Sequence, residues 1–207
     1  MKRLVLLGAS GKLLTHLVAA GLDQEFEVRA LVADPARIRR AHERLTLIKE
    51  SGGSSDALEA ALAGCNFVIC SGGSRRPDLA PRVGQLLGAL GRRPPERVIL
   101  ISRVGVADSS LQGQRASRIL PALLPRLMPR VYADLAQAEG LLRVSKLNYV
   151  IARATRLTDG PATGKVSAVG SRDAPPHRIS RADLAAFVVG ALEAPGWARR
   201  EVTIGAR

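Results

Sequence analysis

Seven short apolar runs alternate with segments of helical spacing from one end of the chain to the other, and this alternation constrains the fold more than any other feature. The runs are Arg3 to Leu7, Glu27 to Val32, Leu45 to Lys49, Asn66 to Ser71, Arg97 to Ser102, Asn148 to Arg153 and Glu201 to Ile204. Leu4-Val5-Leu6-Leu7 and Val98-Ile99-Leu100-Ile101 are apolar at every position, as strands covered on both faces must be. Between them, Leu13, Leu17 and Ala20 recur at helical spacing, as do Leu79, Val83, Leu86 and Leu90, and Leu135, Ala138 and Leu142. Ser180 to Asp183 reads as an S-x-x-D cap that opens a last helix. Strands that alternate with helices give a mainly parallel sheet, because parallel neighbours need crossovers and those crossovers are right-handed. The expectation is a Rossmann-like α/β fold: one doubly wound domain over residues 1–207, with about seven strands and helices on both faces.

Residues 106–131 interrupt the rhythm. They carry Pro121, Pro125 and Pro129 among several leucines and arginines. We read them as a proline-interrupted helical excursion, either a lid over the site or a packing surface for a second subunit; a membrane-surface stripe is a third reading. The chain as a whole offers no apolar stretch approaching the roughly 18 residues of a bilayer span. Lys2 and Arg3 precede an apolar run, but Ser10, Gly11 and Lys12 end it too early for a secretory leader. Cys65 and Cys70 are too few and badly spaced for a bridge. A cytoplasmic protein, monomer or homodimer, is expected.

Lys plus Arg number 31 against 18 Asp plus Glu, a formal charge of +13. Such a surface attracts anions. Aromatic residues make up only 3% of the chain, which leaves few platforms for base stacking, and the arginines are spread along its length. A specific nucleic-acid partner is not expected; a small molecule is. His16, His42 and His177 are scattered without ligand spacing, so no metal is expected.

In an open parallel sheet the ligand lies beyond the C-terminal ends of the strands, where strand order reverses. The first strand ends in Gly8-Ala9-Ser10-Gly11-Lys12-Leu13 and runs straight into a helix. Gly8 allows the tight turn, Gly11 lets the backbone approach a diphosphate, and the helix start supplies N–H donors. Placed after the first buried strand, this turn points to a dinucleotide. The fourth strand closes in Ser71-Gly72-Gly73 with Arg75 following, the fifth in Ser102-Arg103, the sixth in Ala154-Thr155-Arg156. Ala33 and Arg37 lie at the end of the second strand.

The G-A-S-G turn, the segment Val28 to Arg37, Glu139 to Arg143, Leu157 to Gly164, Ile179 to Asp183 and Val202 to Gly205 resemble the atypical short-chain dehydrogenases, most of all their NmrA-like and biliverdin reductase B (flavin reductase) branch. That resemblance implies an NAD(P)H-dependent oxidoreductase passing hydride to a flavin, quinone or similar conjugated molecule. Its alternative is a cofactor sensor without turnover of NmrA type, and a third reading is a nucleotide-sugar epimerase. The resemblance puts Gly8, Ala9, Ser10, Gly11, Lys12, Leu13, Ala33, Arg37, Ser71, Gly72, Gly73, Arg75, Ser102, Arg103 and Ala154 around the cofactor. It leaves Ser102, Thr155 and Arg156 as the polar groups near the reacting end, with Arg156 favouring an anionic substrate.

The departures from the family pattern are specific. Leu14 stands where a third glycine belongs, so the first helix is expected farther from the sheet. Ala33 replaces an arginine that would hold the 2′-phosphate of NADP, with Arg37 as a substitute. Asp34 sits where a carboxylate would take the ribose hydroxyl of NAD, or else caps a turn. The choice between NAD and NADP stays open. Leu135 and Val131 occupy the positions of the Tyr-x-x-x-Lys pair and Tyr132 is displaced by one, so tyrosinate-driven alcohol oxidation is not expected.

Overall fold

In the structure, a computed structural model, residues 1–8, 11–38, 40–50, 55–72, 77–90, 94–106, 126–170 and 176–206 are described. The elements run β1 (Arg3–Leu7), α1 (Gly11–Asp23), β2 (Glu27–Val32), a 3₁₀ turn (Pro35–Arg37), β3 (Leu45–Lys49), α2 (Ser55–Leu62), β4 (Phe67–Ser71) and α3 (Leu79–Ala89). They continue with β5 (Arg97–Arg103), α4 (Pro129–Val144), β6 (Tyr149–Ala154), β7 (Arg156–Thr158), β8 (Val166–Val169), β9 (Arg178–Ser180), α5 (Arg181–Gly190) and β10 (Arg200–Ala206).

All seven expected strands are present, and they form the body of one sheet in the order β3-β2-β1-β4-β5-β6-β10, all parallel. The alternation of side chains along each strand divides the core in two. Leu4 and Leu6 of β1 pack with α1 and α5 on one face; Val5 and Leu7 pack with α2, α3 and α4 on the other. Because both faces are covered, these strands tolerate no polar side chain without a partner. Ser180 caps α5 as its spacing predicts, its hydroxyl accepting the Asp183 N–H at 2.9 Å.

The sheet carries more than the sequence indicates. Beyond β10 lie β9 and β7, paired in parallel with each other, and β8 runs antiparallel to β10. Helix α2 is a further element that the helical pattern above did not include. Residues 107–125, most of the proposed excursion, lie outside the described residues. Pro129 does not interrupt a helix but opens one, at the first turn of α4, where its missing N–H costs nothing. Cys65 precedes β4 and Cys70 lies on it, and both cysteines are free thiols; burial pushes the Cys70 thiol up to about 12.

The chain moves outward from β1 to β2 and β3, then returns to β4 on the opposite side of β1. That reversal opens a crevice above the C-terminal ends of β1 and β4.

Candidate functional site

Gly8 and Gly11 both take left-handed backbone, with φ of 72° and 59°, a region that glycine enters without strain. Their surroundings differ. A Cβ on Gly8 would lie 2.2 Å from the Ser71 carbonyl oxygen and 2.6 Å from Cδ of Arg82, so this glycine serves the close passage of β1 past β4. A Cβ on Gly11 would meet nothing within 4 Å. Gly11 starts α1, whose first turn carries no acidic side chain. The first N–H groups of a helix have no partner within it, and Gly11 leaves the space beside them free of a side chain. That is the geometry a diphosphate needs. Ala9 and Ser10 lie outside the described residues.

Leu13 and Leu14 turn into the core with Leu17 and Val18. Leu14 is 4% exposed and does not project into the crevice. Farther along, at Gly21, helix α1 packs tightly on the sheet, where a Cβ would stand 2.9 Å from the Val28 side chain. Lys12 is exposed, and its amine donates to Asp159 at 2.7 Å. Arg181, at the start of α5, pairs with the same carboxylate. The hydrogen bond from Lys12, with Arg181 beside it, holds the Asp159 carboxyl below its ordinary range. This three-residue bridge ties the segment after β7 to the head of α1.

The loop after β7 is fixed by a second carboxylate. Asp183 of α5 accepts from the backbone N–H groups of Thr163 and Gly164, both at 2.9 Å, and from the Ser180 hydroxyl. Burial pushes its carboxyl up, and these bonds outweigh that and keep it low. The motif residues from Thr158 to Gly164 and from Ile179 to Asp183 are thus held to one another and to the head of α1.

At the end of β4, Ser71 is buried, and a Cβ on Gly72 would come within 3.0 Å of Leu79 Cβ. Gly72 therefore seats the turn into α3. The head of α3 is not open to a ligand, because Asp134 of α4 accepts from the N–H groups of Leu79 and Ala80 at 2.9 and 3.0 Å. Gly73 and Arg75 lie outside the described residues.

At the outer end of the crevice Ala33 is exposed. The Asp34 carboxylate accepts from Ala36 N–H at 3.1 Å and caps the 3₁₀ turn. The Arg37 side chain lies outside the described residues. Sequence reading missed Arg82. From α3 this arginine reaches across to Glu50, just past β3, and lies 3.6 Å from Asp78 one turn earlier. Burial works against its charge, and Glu50 and Asp78 hold it protonated. Its Nε is buried without a hydrogen-bond partner among the described residues, beside Gly8 and Ser71. The only signal in the sequence was the i, i+4 spacing of Asp78 and Arg82.

The polar residues expected at the reacting end separate into two groups. Ser102 is buried and donates to Glu139 of α4 at 2.7 Å. Glu139 is 0% exposed and also accepts from Arg153 at 3.1 and 2.7 Å and from Arg143 at 2.7 Å. Glu201 of β10 closes the network, accepting from Arg143 and Arg153 at 2.7 Å. The Arg143 hydrogen bonds hold the Glu201 carboxyl below the usual range and raise the Arg143 guanidinium in turn. Thr155 is buried with its hydroxyl donating to the Ile204 carbonyl at 3.1 Å. Ser102 and Thr155 thus have hydroxyls engaged in the fold. Ala154 is buried, Arg103 is half-buried at the end of β5, and Arg156 is exposed. Val131 and Leu135 are buried in α4, and the Tyr132 hydroxyl donates to the Val104 carbonyl at 3.2 Å.

A family of NAD(P)H-binding proteins matches residues 8–195. The chain belongs to this NAD(P)H-binding family. Among curated proteins it is 31% identical over 198 residues to an uncharacterized sugar epimerase, YhfK, of Bacillus subtilis (strain 168), covering 92% of this chain and 88% of that one. Among solved structures it resembles a short-chain dehydrogenase/reductase of Veillonella parvula DSM 2008 in complex with NADP, with a TM-score of 0.79 and 23% identity over 99% of this chain and 94% of that one. It also resembles ChuY, an anaerobillin reductase of Escherichia coli O157:H7, with a TM-score of 0.80 and 19% identity over 99% and 97%. The membership fits the site. The open space at Gly11 and the acid-free first turn of α1 are features that suit a dinucleotide's diphosphate. Among the described residues no helix is long and apolar enough to cross a membrane, and no cluster of His, Cys, Asp and Glu could hold a metal.

Proposed function

We propose that the protein is an NAD(P)H-dependent oxidoreductase that passes hydride to a conjugated small molecule such as a flavin or a quinone. The observation that carries this reading is the pairing of an open glycine cradle at the head of α1 with a reacting end that holds no free acid or base among the described residues. The bound nicotinamide supplies the hydride. The α1 N–H groups and Gly11 hold the diphosphate, and Gly8 keeps β1 close enough to β4 for the crevice to form. Arg103 and Arg156 flank the place of the acceptor. An acceptor that spreads charge over a conjugated ring takes its proton from water, so the hydroxyls of Ser102 and Thr155 can remain in the fold.

Alcohol oxidation and sugar epimerisation need a positioned base. The apolar Val131 and Leu135 and the backbone-bound Tyr132 argue against both. The second reading, a sensor that binds NAD(P) without turnover, draws on the same absence of an acid or base. Incubation with NADPH or NADH and riboflavin separates them. Loss of absorbance at 340 nm supports the reductase; tight nucleotide binding without loss, across flavins, quinones and aldehydes, supports the sensor.

A further inference from the structure

Helix α1 has no acid of its own in its first turn, yet a carboxylate from another segment is bonded to that turn. Asp159, just past β7, takes the Lys12 amine on Oδ2 at 2.7 Å and the Arg181 guanidinium on Oδ1. The two cations are not equivalent. Lys12 is the second residue of α1 and its side chain is 70% exposed. Helical side chains lean toward the N-terminus of their helix, so this amine belongs to the same end as the first-turn N–H donors beside Gly11. A lysine is a point charge on a flexible stem and changes partner easily. Arg181 is more enclosed, its side chain 25% exposed, and it holds the other oxygen. Departure of Lys12 therefore leaves the carboxylate paired.

Every residue from Asp159 to Lys165 is exposed, so this loop is held by polar contacts and not by burial. Arg181 grips Asp159, and Asp183 accepts from the Thr163 and Gly164 N–H groups at 2.9 Å; both anchors belong to α5. The Lys12–Asp159 pair ties the same loop to α1. An ion pair this exposed is weak. A diphosphate at the head of α1 presents more negative charge to the same ammonium, and the positive end of the helix dipole favours it there.

We infer that Asp159 competes with the cofactor's diphosphate for Lys12. The pair is an autoinhibitory contact: nucleotide binding moves the amine from carboxylate to phosphate and unties the loop from α1, while Arg181 and Asp183 keep it on α5. The inference rests on the diphosphate cradle of the proposed function and goes beyond it, because it gives Asp159 and Arg181 control over cofactor affinity without contact with the cofactor.

A double-mutant cycle tests it. NADP⁺ and NAD⁺ are titrated calorimetrically into the full-length protein at low ionic strength, where exposed charges are least screened. Asp159→Asn should bind about two- to fivefold tighter than wild type, the range an exposed ion pair allows. Arg181→Gln should bind more weakly, because the carboxylate then has Lys12 alone to hold. Lys12→Gln should also bind more weakly, and in that background neither Asp159→Asn nor Arg181→Gln should shift affinity by more than about 1.5-fold. Asp159→Ser repeats the cycle should the asparagine variant fail to fold. Effects of the two substitutions that persist without Lys12 would be those of a general field and overturn the inference. Unchanged or weaker binding by Asp159→Asn overturns it as well, the weaker case making Asp159 a support that aims Lys12 at the phosphates. Failure of the cradle itself looks different: wild type then binds neither nucleotide, and the competition falls with it.

Discussion

Replacing Glu139 by glutamine tests how the polar interior of the sheet is held. The side chain is 0% exposed and accepts four hydrogen bonds, one from Ser102, two from Arg153 and one from Arg143. Glutamine keeps the shape and removes the charge. Arg153, whose side chain is 6% exposed, must then share Glu201 with Arg143, and an amide NH₂ is forced against a guanidinium. Removing one partner from a buried ion pair costs about 3–5 kcal/mol. For a chain of this size each kcal/mol moves the melting point by about 2–4 °C, so Glu139→Gln should melt roughly 6–20 °C below wild type. Glu201→Gln should cost less, since its partner carboxylate Glu139 remains and the Glu201 side chain is 30% exposed. The assay is thermal unfolding by circular dichroism at neutral pH, with urea unfolding as a check. A Glu139→Gln melting point within about 2 °C of wild type, or a larger loss for Glu201→Gln, would refute the reasoning.

Further outcomes follow from the same geometry. Gly8→Ala should destabilise by roughly 2 kcal/mol or more, because alanine at φ 72° is strained and its Cβ meets the Ser71 carbonyl at 2.2 Å; urea unfolding measures it, and an unchanged midpoint counts against the close passage. Asp134→Asn should cost about 1–3 kcal/mol, since an amide satisfies only one of the Leu79 and Ala80 N–H donors, read as a lower urea midpoint. Stability should fall with acid. Hydrogen bonds from Arg143 depress the Glu201 carboxyl, and amide and hydroxyl donors keep Asp183 low against the effect of burial. A carboxyl whose pKa is lower folded than unfolded contributes fully above its unfolded value, near ~4, and loses that contribution as the pH drops toward the folded value. The melting temperature should therefore hold from neutral pH to about 5 and decline below about 4; a rise on acidification would be inconsistent with these pairs.

The sheet was legible because its strands are buried on both faces and so spell themselves in Val, Ile and Leu. Asn148 to Arg153, for example, is found as Tyr149–Ala154. Three-residue strands such as Arg156–Thr158 have no period to read; they exist because β9 and β10 offer an edge. Helix α2 did carry a signal, with Leu58, Ala61 and Leu62 at helical spacing, which the preceding Gly52-Gly53 obscured. In the candidate site, glycine and its neighbours could be found because a turn into a helix is a local event. The fates of Ser102 and Thr155 could not. Their partners lie 37 and 49 residues away, and a polar residue at a strand end looks the same whether it serves a ligand or the core. Arg82 was hidden for the same reason, since its meaning comes from Glu50 and Gly8 on other elements.

The head of α1 as a diphosphate cradle is tested most directly by titrating NADPH and NADH calorimetrically into wild type and Gly11→Asp. Aspartate is among the side chains that enter left-handed backbone at least cost and is welcome at a helix start, so at φ 59° the variant should fold with no more than a modest loss of melting temperature, while its carboxylate would repel the diphosphate. The account predicts saturable binding of at least one nucleotide by wild type and none by the variant. Wild type that binds neither, or a variant that binds as tightly as wild type, would contradict it.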